Sequence, residues 1–271
     1  LSGTVLEVIN NICKVYFYKI SLLDFNKIYT IFMKNFFFLV VLGVMVSCSS
    51  DDGFDDANGN VAKKYITKIT TAGNGDSNVS TVTYNGDKKV LSASDGQQIN
   101  AFTYNTDGSL NKISGGGDAL FTSEIMGTIH QAYEIGDILG YDSKGNPTLL
   151  ELYEDDYYTG ERYTYKATLT YDTNPFAFYY TLDAAGIIDV LNNTQLNFSM
   201  IAASPEIILA KLLLPVNNPI SVIIRDETNI EVARIDVSYV YNADKYPISS
   251  QVTVQEDGFV DQYSVLYDYL P

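Results

Sequence analysis

Tryptophan is absent from the 271 residues, histidine occurs once and cysteine twice. With His130 as the sole imidazole, a zinc site built from histidines is excluded, and any Ser-His-Asp relay must run through that one residue. Cys13 and Cys48 both lie near the start, so nothing after residue 48 can form an intramolecular disulfide or a thiolate metal site. Basic side chains are scarce too: 17 Lys and Arg stand against 33 Asp and Glu, a formal net charge of -16. Phosphate backbones need a basic patch, so a nucleic-acid partner is not expected. The acidity fits the solubility of an exported protein.

What is plentiful is phenol and phenyl. The chain has 22 Tyr and 13 Phe, side chains that fit a pleated, half-buried surface better than a helical bundle. The length allows one or two domains and a sizeable core.

Residues 33–48 read MKNFFFLVVLGVMVSC: a start at Met33, a positive Lys34, an apolar run from Phe36 to Val46 broken only by Gly43, and small Ser47 ahead of Cys48. The run is too short to span a bilayer as a helix, which takes roughly 20 residues, and has the layout of a cleaved signal peptide. These residues resemble the bacterial lipobox, with Met45 where leucine is usual. The resemblance implies that Cys48 receives lipid and becomes the first residue of the mature protein. Each buried acyl CH₂ contributes about 0.8 kcal/mol, so two or three chains anchor firmly. The stretch Cys48-Ser-Ser-Asp-Asp-Gly53 looks like the start of mature lipoproteins of the Bacteroidota, where acidic residues after the cysteine accompany display on the cell surface.

Residues 1–32 begin with Leu and have the composition of a mistranslated upstream segment, so they are set outside the fold. Loss of Lys14, Lys19, Lys27, Lys34, Glu7 and Asp24 with the leader leaves 13 basic and 31 acidic residues. The expected organisation is a leader at 33–47, an acidic polar tether at 48–60 and a β domain at 61–271.

Six times Tyr precedes Asn or Asp: Tyr84-Asn85, Tyr104-Asn105, Tyr141-Asp142, Tyr171-Asp172, Tyr241-Asn242 and Tyr267-Asp268. Val82, Phe102, Leu139, Leu169, Tyr239 and Val265 stand two places earlier, the period of a half-buried strand. Gly, Asn, Asp and Pro follow most of these pairs and reverse the chain. The pattern, clearest at Tyr141-Asp-Ser-Lys-Gly-Asn-Pro-Thr148 and Tyr241-Asn-Ala-Asp-Lys-Tyr-Pro247, resembles the YD-type repeats of bacterial surface proteins. It is more similar to a domain of unknown function in Bacteroidota lipoproteins. That resemblance implies β-hairpins over residues 61–271 and carries no catalytic residue. Between Pro175 and Val222 the alternation fails. Tyr180–Leu191 and Ser204–Leu214 read as two short helices, the second with a Ser cap and Pro in its first turn.

The fold expected is therefore all-β: an almost wholly antiparallel, twisted or curled sheet of repeated hairpins, with a helical insertion at about 180–214 lying across it. The six tyrosines are expected at strand ends with rings on the packed face.

Chemistry is harder to find. Ser123 and Glu124 lie near His130, but no nucleophile-elbow pattern surrounds them. Glu151, Glu154, Asp155 and Asp156 cluster with Tyr153, Tyr157 and Tyr158 on one hairpin arm; a glycosidase pair or a sugar-stacking surface can be drawn from them, and packing across strands can too. Gly115-Gly116-Gly117 forms no phosphate loop. No catalytic residue, metal ligand or cofactor is assigned. The sequence points to a protein held to the outer membrane through lipid on Cys48, binding a glycan, peptide or partner protein along its sheet. A carboxylate-dependent hydrolase and a purely structural envelope component stay open as alternatives.

Overall fold

The computed structural model describes residues 52–73, 75–115, 119–132, 137–155, 159, 161–198, 207–256 and 258–271. The leader and Cys48 lie outside the described residues. Strands dominate: β1 (Ile66–Gly73), β2 (Asp76–Tyr84), β3 (Val90–Ser94), β4 (Ile99–Tyr104), β5 (Leu110–Ser114) and β6 (Leu120–Phe121) form the first run. After β7 (Ile129–Gln131) come β8 (Asp137–Tyr141), β9 (Pro147–Asp155) and β10 (Arg162–Pro175). After β11 (Gln195–Asn197) and β12 (Ile207–Leu209) come β13 (Asn217–Arg225), β14 (Glu231–Tyr241), β15 (Pro247–Glu256) and β16 (Phe259–Tyr269).

Thirteen of these strands make one curled sheet in the order β6-β5-β4-β3-β2-β1-β16-β15-β14-β13-β10-β9-β8. All twelve neighbouring pairs are antiparallel, and ten of them join strands that are consecutive along the chain. The two exceptions are structural: β1 meets β16 with Ile69 opposite Tyr267, and β10 meets β13 with Leu169 opposite Val222. The expectation of an antiparallel, hairpin-built sheet is met.

Alternation decides which face is buried. Along β15, Ser250, Val252 and Val254 point in and Gln251 out; along β16, Tyr263, Val265 and Tyr267 are buried while Leu266 is exposed. Two short helices, α3 (Tyr179–Ala184) and α4 (Ile187–Asn192), lay Leu182, Ile188 and Leu191 against Val90, Phe102, Leu110 and Ile113 of β3–β5. Over the other half, Ala132, Leu196, Phe198 and Ile208 pack against Leu150, Leu152, Leu169, Val222, Ile224 and Val265. The chain's own insertion thus supplies the second layer of the core.

Three expectations need correction. The first predicted helix is two, because Gly186 at φ 75° turns the chain between α3 and α4. The second, at 204–214, is instead strand β12 followed by a 3₁₀ turn at Ala210–Leu213. Residues 199–206, with the expected Ser cap, lie outside the described residues. Ile207, Ile208 and Leu209 pair with Asn197, Leu196 and Gln195, and the Ala210 N–H reaches Thr194 O at 2.8 Å, so distant backbone partners override the local helix signal. The β7–β11 pair, Ile129 to Gln195, is parallel and lies in a separate small sheet with β12. Finally, the stretch read as a tether contains a helix, α1 (Asp52–Asn58), whose Phe54 is buried.

The tyrosines divide. Tyr84, Tyr104, Tyr141 and Tyr241 end their strands, whereas Tyr171 sits within β10 and Tyr267 lies two residues before the end of β16. Tyr171 opens no tight reversal because β10 runs on to Pro175 beside β13. Tyr141 is 38% exposed on the outermost strand, where no further strand covers it.

Candidate functional site

Five hairpins share one turn. Asn85, Asn105, Asp142, Asp226 and Asn242 each accept at the main-chain carbonyl from the N–H three residues on, at 2.9–3.1 Å, and donate their own N–H to the carbonyl four residues on, at 2.8–2.9 Å. The third-following residue has positive φ: Lys88 at 62°, Gly108 at 86°, Gly145 at 90°, Asn229 at 67° and Lys245 at 67°. In four of the five, the Asn or Asp side-chain oxygen also takes the N–H groups two and four residues on, as at Asn242 with Asp244 and Tyr246, both 3.0 Å. The side chain imitates a backbone turn, and the left-handed residue adds a bulge that fits the twist of the strands. The Asp226 turn escaped the sequence reading because Arg225 stands where the others have Tyr; its signal was Asp or Asn followed three places on by Asn.

The four Tyr-led turns lie on one rim of the sheet, and phenols tie that rim together. Tyr84 donates its hydroxyl to Ile66 O at 2.6 Å, Tyr104 to Val90 O at 2.7 Å, Tyr239 to Pro219 O at 3.0 Å and Tyr269 to Pro247 O at 2.8 Å. Each phenol thus satisfies a carbonyl at or near the beginning of the neighbouring strand. Burial pushes the Tyr104 phenol up to about 12 and holds Tyr84 and Tyr269 still further above the ordinary value.

Beside this row is a buried amide knot. Asn146 and Asn217 have no exposed surface and Asn218 has 1%. Asn146 donates to Asn217 Oδ1 at 2.9 Å and accepts from the N–H groups of Val216 and Asn217 at 3.0 and 3.1 Å. Asn217 donates to Asn58 Oδ1 and to Asn174 O, both at 2.9 Å. The Tyr241 hydroxyl donates to Asp172 and lies 3.5 Å from the Asn218 amide.

Helix α1 docks onto this rim. Phe54 stacks on Tyr179 with ring centroids 3.7 Å apart and meets Tyr180 edge-on at 5.4 Å. Tyr180 donates to Asp55 at 3.1 Å, and Asn58 donates to Val216 O at 2.8 Å. Tyr246 is fully buried in the same aromatic cluster, and its hydroxyl is the one buried side-chain polar atom without a hydrogen-bond partner among the described residues. Lysines border the cluster: Lys63 stands 5.2 Å from the Tyr180 ring centre, Lys88 5.2 Å from that of Tyr65, and Lys64 pairs with Asp244 at 2.9 Å.

The opposite rim has a different character. Ile230, just ahead of β14, and Phe259 and Val260, at the start of β16, are 62%, 64% and 59% exposed there. Phe259 pairs with Glu256, which in turn pairs with Ala233, three residues from Ile230.

The residues singled out for chemistry do not converge. His130 Nε2 lies 3.0 Å from Ile125 O, while Ser123 and Glu124 are exposed on the short helix α2 (Thr122–Ile125). Glu151 accepts from Tyr153 at 2.6 Å, and Arg162 lies 4.8 Å from the Tyr153 ring centre. The side chains of Glu154 and Asp155, and all of Asp156, Tyr157, Tyr158, Gly116 and Gly117, lie outside what is described. Three carboxylates are held below their ordinary range: Asp107 by the Ser109 hydroxyl, Asp226 by that of Thr228 and Glu231 by Arg234. Among the described residues no group of three or more His, Cys, Asp or Glu is placed to hold a metal ion. Nor is any helix there long and apolar enough to cross a membrane.

No family model matches the chain, and no curated protein matches it significantly. Among solved structures it is similar to a porin-like protein from Bacteroides vulgatus, with 12% identity and a TM-score of 0.35 over 77% of this chain and 100% of that one. A porin-like protein from Bacteroides uniformis shares 12% identity at a TM-score of 0.24, over 76% of this chain and 98% of that one. An outer membrane lipoprotein-sorting protein domain from Vibrio parahaemolyticus shares 8% at 0.25, over 80% and 88%. No residue role passes from these proteins to this chain.

Proposed function

We propose that the chain is a lipid-anchored protein of the bacterial outer membrane that acts by binding a glycan, peptide or protein partner. The anchor rests on Met33–Cys48, where a charged start, a short apolar run and a small residue precede the cysteine. The observation that carries the binding part is where the carboxylates go. Asp142 and Asp226 accept turn N–H groups, Asp107 accepts from Ser109, and Glu231 pairs with Arg225 and Arg234 at 3.1 and 2.6 Å. A general acid needs a carboxyl held above its ordinary value, and the shifts at Asp107, Asp226 and Glu231 run the other way. The inner face is filled by the insertion, which leaves the outer face and the Ile230–Phe259 rim for a partner.

The anchor is tested by Cys48→Ser. Expected is an unprocessed precursor that takes up no labelled fatty acid; ordinary labelling of that variant sinks the reading. Surface display is tested by adding protease to intact cells, where the wild-type chain is expected to be cut.

A further inference from the structure

The docked helix α1 leaves little slack behind the anchor. Only Ser49, Ser50 and Asp51 separate Cys48 from Asp52, and four peptide steps span at most about 14 Å. From Asp52 onward the chain is fixed to the tyrosine rim by Phe54 on Tyr179, Tyr180 on Asp55, and Asn58 on Val216 and Asn217. The eleven residues of β14 carry the sheet from the far rim to this one, a distance of about 35 Å at strand rise.

Charge favours the same orientation. Of the 13 basic residues that follow Cys48, Lys63, Lys64, Lys88, Lys89, Lys144 and Lys245 sit on or beside the turns of the tyrosine rim. They offset the acids of α1 and of those turns, whereas the remaining seven are spread over a body that holds most of the 31 acidic residues. Repulsion from anionic phospholipid headgroups is therefore smallest at this rim.

Taking the lipid anchor of the proposed function as given, we propose that the tyrosine rim faces the phospholipid surface and that the Ile230–Phe259 rim is held away from it. The three-residue span and the docked α1 together set this orientation, and the domain does not swing freely on a tether.

The test uses the lipidated full-length protein in phosphatidylethanolamine–phosphatidylglycerol vesicles. Lipid occupies the Cys48 thiol and no other cysteine follows, so Thr106→Cys on the tyrosine rim and Val260→Cys on the far rim each carry a single fluorescent label. With nitroxide-headgroup lipid as quencher, the label at 106 is expected to be quenched several-fold more than the label at 260. Equal or reversed quenching overturns the orientation. Inserting twelve Gly and Ser residues between Asp51 and Asp52 is expected to abolish the difference; its persistence overturns the role of the short span. Absence of acyl label on Cys48 sinks anchor and orientation together, while acyl label with equal quenching sinks the orientation alone.

Discussion

Asn146 shows how much one side chain can hold. It has no exposed surface, and its amide meets Asp142, Asn217 and the N–H groups of Val216 and Asn217. Asn146→Ala leaves two N–H groups and a carbonyl oxygen without that partner in a buried place. At about 1–3 kcal/mol for each unsatisfied group, a loss of at least about 3 kcal/mol is expected. Tyr104→Phe removes one strong hydrogen bond, to Val90 O at 2.7 Å, with a long contact to Ala184 O at 3.4 Å, and should cost about 1 kcal/mol. Urea unfolding checks both: the midpoint should fall far more for Asn146→Ala, with the slope unchanged. Equal losses would show that the knot is not the stronger fastening. Nothing local in the sequence marks Asn146 as special. The partners of its amide include residues 71 positions away, and only the meeting of the β8–β9 turn with β13 gives it a role.

At the scale of elements, the shared turn makes a sharper prediction. Lys245 occupies the left-handed region, which costs a residue with a Cβ about 1–2 kcal/mol. Lys245→Gly removes that strain against a backbone entropy cost of about 0.5–1 kcal/mol. A rise in melting temperature is expected, and a fall would show that Lys245 contributes more than its backbone. Gly186→Ala should do the opposite, because an added Cβ would sit 3.0 Å from Leu110 Cβ at a φ of 75°. Loss of helical circular dichroism at lower urea checks it. Turns of this kind were legible because their chemistry is confined to five residues: Asn242 and Lys245 sit three places apart and fix the reversal between them. The Ser204–Leu214 stretch misleads for the opposite reason. Its helix signals are local, yet Ile207–Leu209 finds backbone partners in Gln195–Asn197. Alternating exposure at Ile207, Ile208 and Leu209 follows the strand period.

For the molecule as a whole, the phenols set a limit at high pH. Tyr104, Tyr153 and Tyr263 are pushed up to about 12, Tyr104 and Tyr263 chiefly by burial and Tyr153 chiefly by its bond to Glu151. Unfolded tyrosine titrates near 10. The unfolded chain therefore gives up its phenolic protons first. The stabilisation is whole below about pH 10 and is lost as pH rises toward 12. Absorbance at 295 nm should show delayed, cooperative phenolate formation coincident with loss of near-ultraviolet dichroism; independent titration near pH 10 in a folded chain would contradict it. The hairpins of the sheet could be read from sequence, but its closure at β1 and β16 could not, since no signal links Ile69 to Tyr267 across most of the domain. That clasp bears on how the protein is made. A chain emerging from its N-terminus forms β1 early and must leave one edge of it bare until β16 arrives, and an unpaired edge invites association. A chain stopped before Phe259 would expose β1 and β15 together. Synthesis of this sheet is in that sense unforgiving: the last eleven-residue strand decides whether everything made before it is kept or cleared.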